Sequence, residues 1–146
     1  MKHSFRVTRQ MRSKSTLVAA KAYISQGLKV IVLHGIDDNG HCTCKNSNCN
    51  SPGKHPLGKF FPSGLKDATL DIALVRKALR TQKDANIAIT LERLTVADTD
   101  GPAGHKTIQK LKLPNTIKVK TGRGYHRYFD GEIETGSFKC QQLDVL

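Results

Sequence analysis

The chain has 146 residues, of which 38% are hydrophobic, and carries 24 Lys and Arg against 12 Asp and Glu, a formal net charge of +12. No segment approaches the roughly 18 apolar residues of a membrane span, and the basic amino terminus lacks the apolar stretch of a secretory signal. These features exclude an integral membrane protein and predict a cytoplasmic one. The first 66 residues contain only two acids, Asp37 and Asp38, which favours a nucleic-acid partner.

The chain is predicted to begin with a basic flexible arm, residues 1–14, followed by one domain over residues 15–146. Ser15 can cap a helix over residues 16–26, whose apolar side chains fall on one side. Residues 29–33 then form an apolar run typical of a buried strand.

Residues 37–64 are rich in Gly, Asn, Pro, Cys and Lys and show no apolar period. So long a segment inside a compact domain must be organised by something other than its own secondary structure. Three thiols and an imidazole within 14 residues suit a tetrahedral structural zinc site. His41 and Cys140 are alternatives to His55 as the fourth ligand. The predicted ligands are Cys42, Cys44, Cys49 and His55.

Regular structure is predicted again from Thr69, as the N-cap of an amphipathic helix over residues 70–81. Two apolar runs, 86–90 and 94–98, are separated by a short polar turn and predict a hairpin. Asp98 and the nearby Asp100 would then lie at the exit of this hairpin.

A helix is predicted over residues 102–111, because Pro102 suits the first turn of a helix and Pro114 lies just beyond its end. A second hairpin is predicted from strands 117–120 and 125–129, followed by a final strand over residues 142–145. This order of elements predicts an α+β domain with a mixed β-sheet, flanking helices and a zinc-binding insertion.

Asp98 and Asp100 are the most informative residues of the sequence. In a strand, residues i and i+2 point to the same face, so the two carboxylates lie side by side. Such a pair needs cations, and two divalent ions such as Mg²⁺ or Mn²⁺ can hold a phosphoryl group in transfer. Asp144, within a short apolar strand, would complete a set of three metal ligands.

Residues 121–129 form a second chemical cluster. The glycines on either side of Arg123 let backbone N–H groups approach an anion. Arg123 can bind a phosphate through two hydrogen bonds, and His126 can donate to another phosphate oxygen. The side chains of Tyr125, Arg127 and Phe129 are predicted on the strand face opposite to that of His126.

In this order, the motifs resemble those of the primase-polymerase domain of the archaeo-eukaryotic primase superfamily. Within this superfamily, the chain resembles the bifunctional primase/polymerase module of phage, plasmid and integrated-element replication proteins. The resemblance covers residue 15 to the end of the chain and includes a Cys-rich knuckle that leads into residues 52–56. It rests on Asp98-Thr99-Asp100, Gly124-Tyr125-His126, Leu143-Asp144 and Pro52-Gly53-Lys54-His55-Pro56.

The resemblance implies roles for individual residues. Asp98, Asp100 and Asp144 would be the catalytic metal ligands, and His126 would hold the nucleotide triphosphate. Three further residues are expected to contact phosphate: Arg123, Arg127 and Lys54. Related domains continue beyond their third motif, often into a helicase, so the carboxy-terminal end of this domain is expected to be truncated.

The implied activity is DNA-dependent primer synthesis or extension from nucleoside triphosphates in the replication of a mobile element. The partners would be a single-stranded DNA template, the nucleotides and a replicative helicase. Two other functions fit the same residues. One is a non-catalytic, zinc-containing nucleic-acid-binding module, and the other is a metal-dependent nuclease that uses the same carboxylates.

Overall fold

The computed structural model describes residues 6–131 and the strand at residues 143–145. The described residues divide after Thr90 into two compact units. We call Arg6–Thr90 the amino-terminal unit, and residues 91–131 and 143–145 the carboxy-terminal unit. Both contain helices and antiparallel strands, which confirms the prediction of an α+β protein.

The amino-terminal unit contains two α-helices, two short 3₁₀ helices (Gln10–Arg12 and Gly64–Asp67) and a two-stranded sheet. Strand β1 (Val30–Leu33) pairs antiparallel with β2 (Asn86–Ile89). Helix α1 (Thr16–Ile24) precedes β1 and ends near Gly27, whose φ of +76° suits glycine. Helix α2 (Ile72–Thr81) precedes β2 and contacts both α1 and β1.

The core of this unit lies between its helices and the sheet. Val30 and Val32 are fully buried, as are Ala20 of α1 and Val75 of α2. Phe61, from the predicted insertion, belongs to the same core and is 1% exposed. The insertion is therefore anchored at its carboxy-terminal end by apolar packing, which sequence reasoning did not anticipate in so polar a segment.

The carboxy-terminal unit is a four-stranded antiparallel sheet with one helix. Strand β3 (Leu94–Asp100) leads directly into α3 (Gly101–Lys110), in which proline occupies the first turn. The hairpin of β4 (Ile117–Lys120) and β5 (Gly124–Asp130) follows. With β6 (Leu143–Val145), the strand order is β4-β5-β3-β6. This confirms the second predicted hairpin and the final strand.

Two expectations about the sheet are wrong. Strands β2 and β3 do not form a hairpin, because β2 pairs with β1 in the amino-terminal unit. Both edges of β3 are already occupied, one by β5 and the other by β6. The sheets are also not mixed, since every strand pair between described residues is antiparallel.

Two boundaries also differ from the prediction. The N-cap of α2 is Asp71, whose carboxylate accepts from the backbone N–H of Ala73 at 2.8 Å. Thr69, the predicted cap, instead exchanges backbone hydrogen bonds with Val30. Strand β3 extends two residues beyond its predicted end at residue 98, so Asp100 as well as Asp98 lies within it.

The described part of the predicted arm contains a short 3₁₀ helix, Gln10–Arg12, with Met11 buried. The division into an arm and one catalytic domain stays a prediction. Within residues 6–131 and 143–145, none of the helices has the length and apolar composition needed to cross a bilayer.

Candidate functional site

Strand β3 brings the predicted carboxylates and the predicted histidine into one register. It is a central strand of its sheet, with β5 on one side and β6 on the other. Asp98 is directly opposite His126 of β5 and, across the other edge, opposite Asp144 of β6. Three residues far apart in the sequence are therefore neighbours on adjacent strands. Asp100 is opposite Gly124 at the end of the same ladder.

The carboxylate of Asp98 is only partly satisfied by its surroundings. Its Oδ2 lies 3.3 Å from Nε2 of His126, and both side chains are about two-thirds or more buried. Its Oδ1 is buried and has no hydrogen-bond partner within the described part of the chain. A buried carboxylate oxygen without a donor is costly unless a cation or another donor reaches it.

The carboxylate of Asp100 faces a guanidinium. Its Oδ2 lies 2.8 Å from Nη2 of Arg123, whose side chain is 85% exposed. An ion pair with so exposed an arginine contributes little to stability. Arg123 can therefore exchange this carboxylate for another anion at small cost. The contact also shows that the tip of the β4–β5 hairpin reaches the aspartate pair.

Gly124 makes this close approach possible. A Cβ at this position would lie 1.6 Å from the backbone oxygen of Thr99, so no other residue fits without moving β5 away from β3. The backbone N–H of Gly124 is bonded to the hydroxyl of Thr121 at 2.9 Å. This glycine therefore serves strand packing, whereas the sequence had suggested an approach of its N–H to an anion.

The opposite face of the sheet contains Arg127, as the alternation of side chains predicts. Its Nη1 donates to the hydroxyl of Thr99 at 3.1 Å, and that hydroxyl donates to the carbonyl of Tyr125 at 3.1 Å. Thr99 is fully buried. The two residues bind β3 to β5 behind the aspartates, and Arg127 does not share the face of His126.

Thr99 is a residue that sequence reasoning missed. It lies between the two aspartates, and its hydroxyl fixes the strand that carries His126 relative to the strand that carries Asp98. A hydroxyl residue at the middle position of an Asp-x-Asp strand was the available signal. Its burial could not be inferred without knowing that α3 covers that face.

The amino-terminal unit contains a separate cluster of four metal-ligating side chains. The ligand atoms of Cys42, Cys44, Cys49 and His55 all lie within 4.8 Å of one another. The Nε2 of His55 lies 3.4 Å from the sulfur of Cys42 and 3.5 Å from that of Cys49. Every member of the predicted set is therefore part of one cluster.

The distances from Nε2 of His55 to the two sulfurs, 3.4 and 3.5 Å, fit zinc. A tetrahedral zinc ion that holds sulfur at about 2.3 Å and nitrogen at about 2.0 Å keeps its ligand atoms about 3.5 to 3.8 Å apart. Burial raises the pKa of the Cys42 thiol, but hydrogen bonds from the backbone of Cys44 and Gly53 and from the side chains of Cys44 and His55 outweigh it, lowering the pKa to about 6. A lowered pKa favours the thiolate, the form that binds metal. For Cys49, a backbone hydrogen bond from Ser51 lowers the pKa, but burial and the two neighbouring thiols together outweigh it, so the pKa is raised.

The cluster is anchored along the continuation of β1. The backbone N–H of His34 donates to the carbonyl of His55, and that of Thr43 to the carbonyl of Gly35. The ring of His34 lies 4.5 Å from that of His55, and its Nδ1 lies 3.0 Å from the hydroxyl of Thr43. Burial and the nearby His55 lower the pKa of His34, which favours its neutral form.

The remaining predicted residues lie elsewhere. His41, one alternative ligand, is exposed and lies 4.0 Å from Asp37, outside the cluster. Cys140, the other alternative, lies outside the described residues. Lys54 is exposed in the amino-terminal unit beside the zinc-type cluster. Its predicted contact with phosphate stays a prediction.

The carboxy-terminal unit thus contains a carboxylate–histidine site on a central strand, and the amino-terminal unit contains a Cys3His cluster. The model of one protein family, described as bifunctional DNA primase/polymerase, N-terminal, matches residues 20–144. The match covers both sites and most of the chain, so the chain belongs to this family. Comparison with curated proteins and comparison with solved structures each gave no match.

Proposed function

We propose that this chain is a metal-dependent nucleotidyltransferase that synthesises or extends primers on a single-stranded DNA template. The observation that supports it most is the register of β5, β3 and β6. That register puts His126 and Asp144 opposite Asp98 on its two neighbouring strands. The family match to primase/polymerase domains gives this arrangement its chemical interpretation.

The carboxylates suit a divalent cation. The buried Oδ1 of Asp98 has no donor within residues 6–131, which is the condition that a metal ion would relieve. Asp100 is 34% exposed and, among the described side chains, is paired only with the exposed Arg123. We assign Asp98, Asp100 and Asp144 as the residues that would hold two Mg²⁺ or Mn²⁺ ions. When bound, such ions lower the pKa of an attacking hydroxyl and offset charge on the phosphates.

The other side chains of this face would bind the triphosphate. His126 can donate from Nε2 to a phosphate oxygen in place of Asp98. Arg123 can move from Asp100 to a phosphate, with two parallel hydrogen bonds. Both residues would hold the nucleotide in position, and positioning with electrostatic stabilisation supplies most of the catalysis in phosphoryl transfer.

The Cys3His cluster would bind one structural zinc ion. All four ligand atoms come from protein side chains, which leaves no position for a substrate, so the site would not be catalytic. Zinc would fix residues 37–56, whereas Leu57 and Phe61 are held by the apolar core. This division assigns different anchors to the two ends of the insertion.

The test of the proposed function is nucleotide incorporation by the purified wild-type chain. A single-stranded oligonucleotide template, nucleoside triphosphates and Mn²⁺ or Mg²⁺ should give labelled products that disappear when template or metal is omitted. Separate reactions with ribonucleotides and deoxyribonucleotides identify the substrate sugar. Degradation of the oligonucleotide without added nucleotide would instead indicate a nuclease, and neither reaction would indicate a binding module.

A second prediction concerns His126. Replacement by Ala removes a donor to the triphosphate, and a hydrogen bond to a charged group is worth enough to raise the nucleotide KM or lower kcat about ten- to one-hundred-fold. Affinity for single-stranded DNA should stay the same, because the side chain faces the aspartates. Steady-state incorporation and fluorescence anisotropy measure the two quantities. Weaker DNA binding with normal nucleotide use would contradict the assignment.

A further inference from the structure

The carboxy-terminal unit carries a concentration of positive charge, most of which the proposed catalytic site does not use. From Gly101 to Phe129 the sequence contains five lysines and two arginines and no acidic residue. Arg123 faces Asp100, and Arg127 is bonded to Thr99. The lysines form no ion pair with a carboxylate of the described residues. They are Lys106, Lys110, Lys112, Lys118 and Lys120.

Two of these lysines lie on β4, a strand at one edge of the described sheet. Lys118 is directly opposite Arg127, and Lys120 is directly opposite Tyr125. Both lysines are exposed. Like charges directly opposite each other across two strands are destabilising. The arrangement of Lys118 and Arg127 therefore favours an external anion that relieves the repulsion.

Tyr125 gives the same face an aromatic ring. The Nζ of Lys118 lies 4.5 Å from the centre of this ring, and the guanidinium of Arg127 lies 5.9 Å from it. The ring of His105 contacts its edge, with the centroids 5.3 Å apart. His105 of helix α3 thus contacts one side of Tyr125. Because Tyr125 is only half-buried, part of its side chain stays accessible.

We infer that this surface, which we call the β4–β5 basic face, binds a single-stranded nucleic acid. It consists of Lys118, Lys120, Tyr125 and Arg127. The two lysines would contact successive phosphates, and Lys118 would leave the ring of Tyr125 to an unstacked base. Lysines that follow a backbone and an aromatic ring that stacks a base are the recurrent elements of single-strand binding.

The identification of this strand as the template rests on the proposed function. Tyr125 and His126 are consecutive and point to opposite faces of β5, so the β4–β5 basic face would hold a segment of the template on the other side of the sheet from the proposed triphosphate site. A duplex would offer phosphates to the lysines but no free base to Tyr125. Single-stranded DNA and single-stranded RNA both offer phosphates to the lysines and unpaired bases to Tyr125, so the experiment compares both.

The experiment measures binding of fluorescent oligo(dT), oligo(U) and a DNA duplex in the absence of nucleotide and divalent metal. The variant Lys118→Gln/Lys120→Gln should bind both single strands about ten-fold more weakly. The slope of log K against log salt should fall by about 1.4, because each phosphate contact to a single strand contributes about 0.7. The control Lys77→Gln/Lys83→Gln removes the same charge from exposed positions in and after α2 and should bind as wild type.

The aromatic ring is tested separately. Tyr125→Leu should weaken single-strand binding about ten-fold with an unchanged salt slope, whereas Tyr125→Phe should retain wild-type affinity because stacking needs only the ring. Equal single-strand binding by Lys118→Gln/Lys120→Gln and the wild type would overturn the inference, as would equal losses in this variant and in the control Lys77→Gln/Lys83→Gln. A loss confined to the duplex would also overturn it. A wild-type chain that binds single strands but incorporates no nucleotide would contradict the proposed function alone.

Discussion

Replacement of Asp98 by Asn is expected to abolish nucleotide incorporation without lowering the stability of the protein. The amide keeps the shape of the side chain but removes the charge that would bind a divalent ion. Loss of one preorganised electrostatic group in an active site costs about 10²- to 10³-fold in kcat, and a metal ligand belongs at the upper end of that range. Asp100→Asn should behave in the same way.

Stability distinguishes this interpretation from a structural one. The Oδ1 of Asp98 is buried without a partner among the described residues, so removal of the charge should leave the melting temperature unchanged or raise it. Asp130→Asn is the matched control, because Asp130 lies on β5 opposite Leu94 and is exposed. It should retain activity. A lower melting temperature with normal incorporation in Asp98→Asn would mean that Asp98 only pairs with His126 to hold the sheet together.

Cys42→Ser should abolish stoichiometric zinc binding and unfold the first part of the insertion. Cys42 is the most buried of the four ligands, and its sulfur also accepts from the backbone N–H of Gly53. Elemental analysis of protein purified without chelators should find one zinc per wild-type chain and none in the variant. His41→Ala, an exposed position outside the cluster, should keep its zinc.

Hydrogen exchange should show where the metal acts. Loss of zinc should remove protection from the amides of Thr43 and Gly53, while Val30 and the rest of β1 stay protected by the core. Phe61→Ala should instead weaken the core and leave the zinc bound. Loss of a buried aromatic side chain should lower the free energy of unfolding by about 3–5 kcal/mol. Two results would contradict the view that zinc and the apolar core anchor the two ends of the insertion separately. One is wild-type protein that contains no zinc, and the other is an equal loss of protection over the whole amino-terminal unit when zinc is removed.

The helices and strands could be predicted from the sequence because they depend on local patterns. The apolar face of α2, the alternation along β5 and the glycine-rich turn before it are all written in consecutive residues. The zinc-type cluster was predictable for the same reason, since its four ligands occur within a short segment. Prediction of which face of β5 carries His126 needed only the two-residue period of a strand.

The pairing of strands could not be predicted, because it depends on contacts between distant residues. Strands β2 and β3 are consecutive and separated by a short turn, yet they belong to different sheets: β2 pairs with β1, and β3 pairs with β5. The burial of Phe61 could not be predicted for a similar reason. It lies in a polar segment with no apolar period, and its partners are in β1 and α2. The role of Gly124 depends on its distance from Thr99, which only the register reveals.

The central claim is that Asp98 and its neighbours on β3 and β6 bind two divalent ions beside the nucleotide. Electron paramagnetic resonance of Mn²⁺ with a non-hydrolysable nucleoside triphosphate tests it most directly. The wild-type chain should bind two Mn²⁺ ions with the spin coupling expected at a separation of about 3.5–4 Å. Asp98→Asn should lose that coupling while its zinc content stays at the wild-type level. Identical Mn²⁺ spectra and affinities in the two proteins would contradict the account.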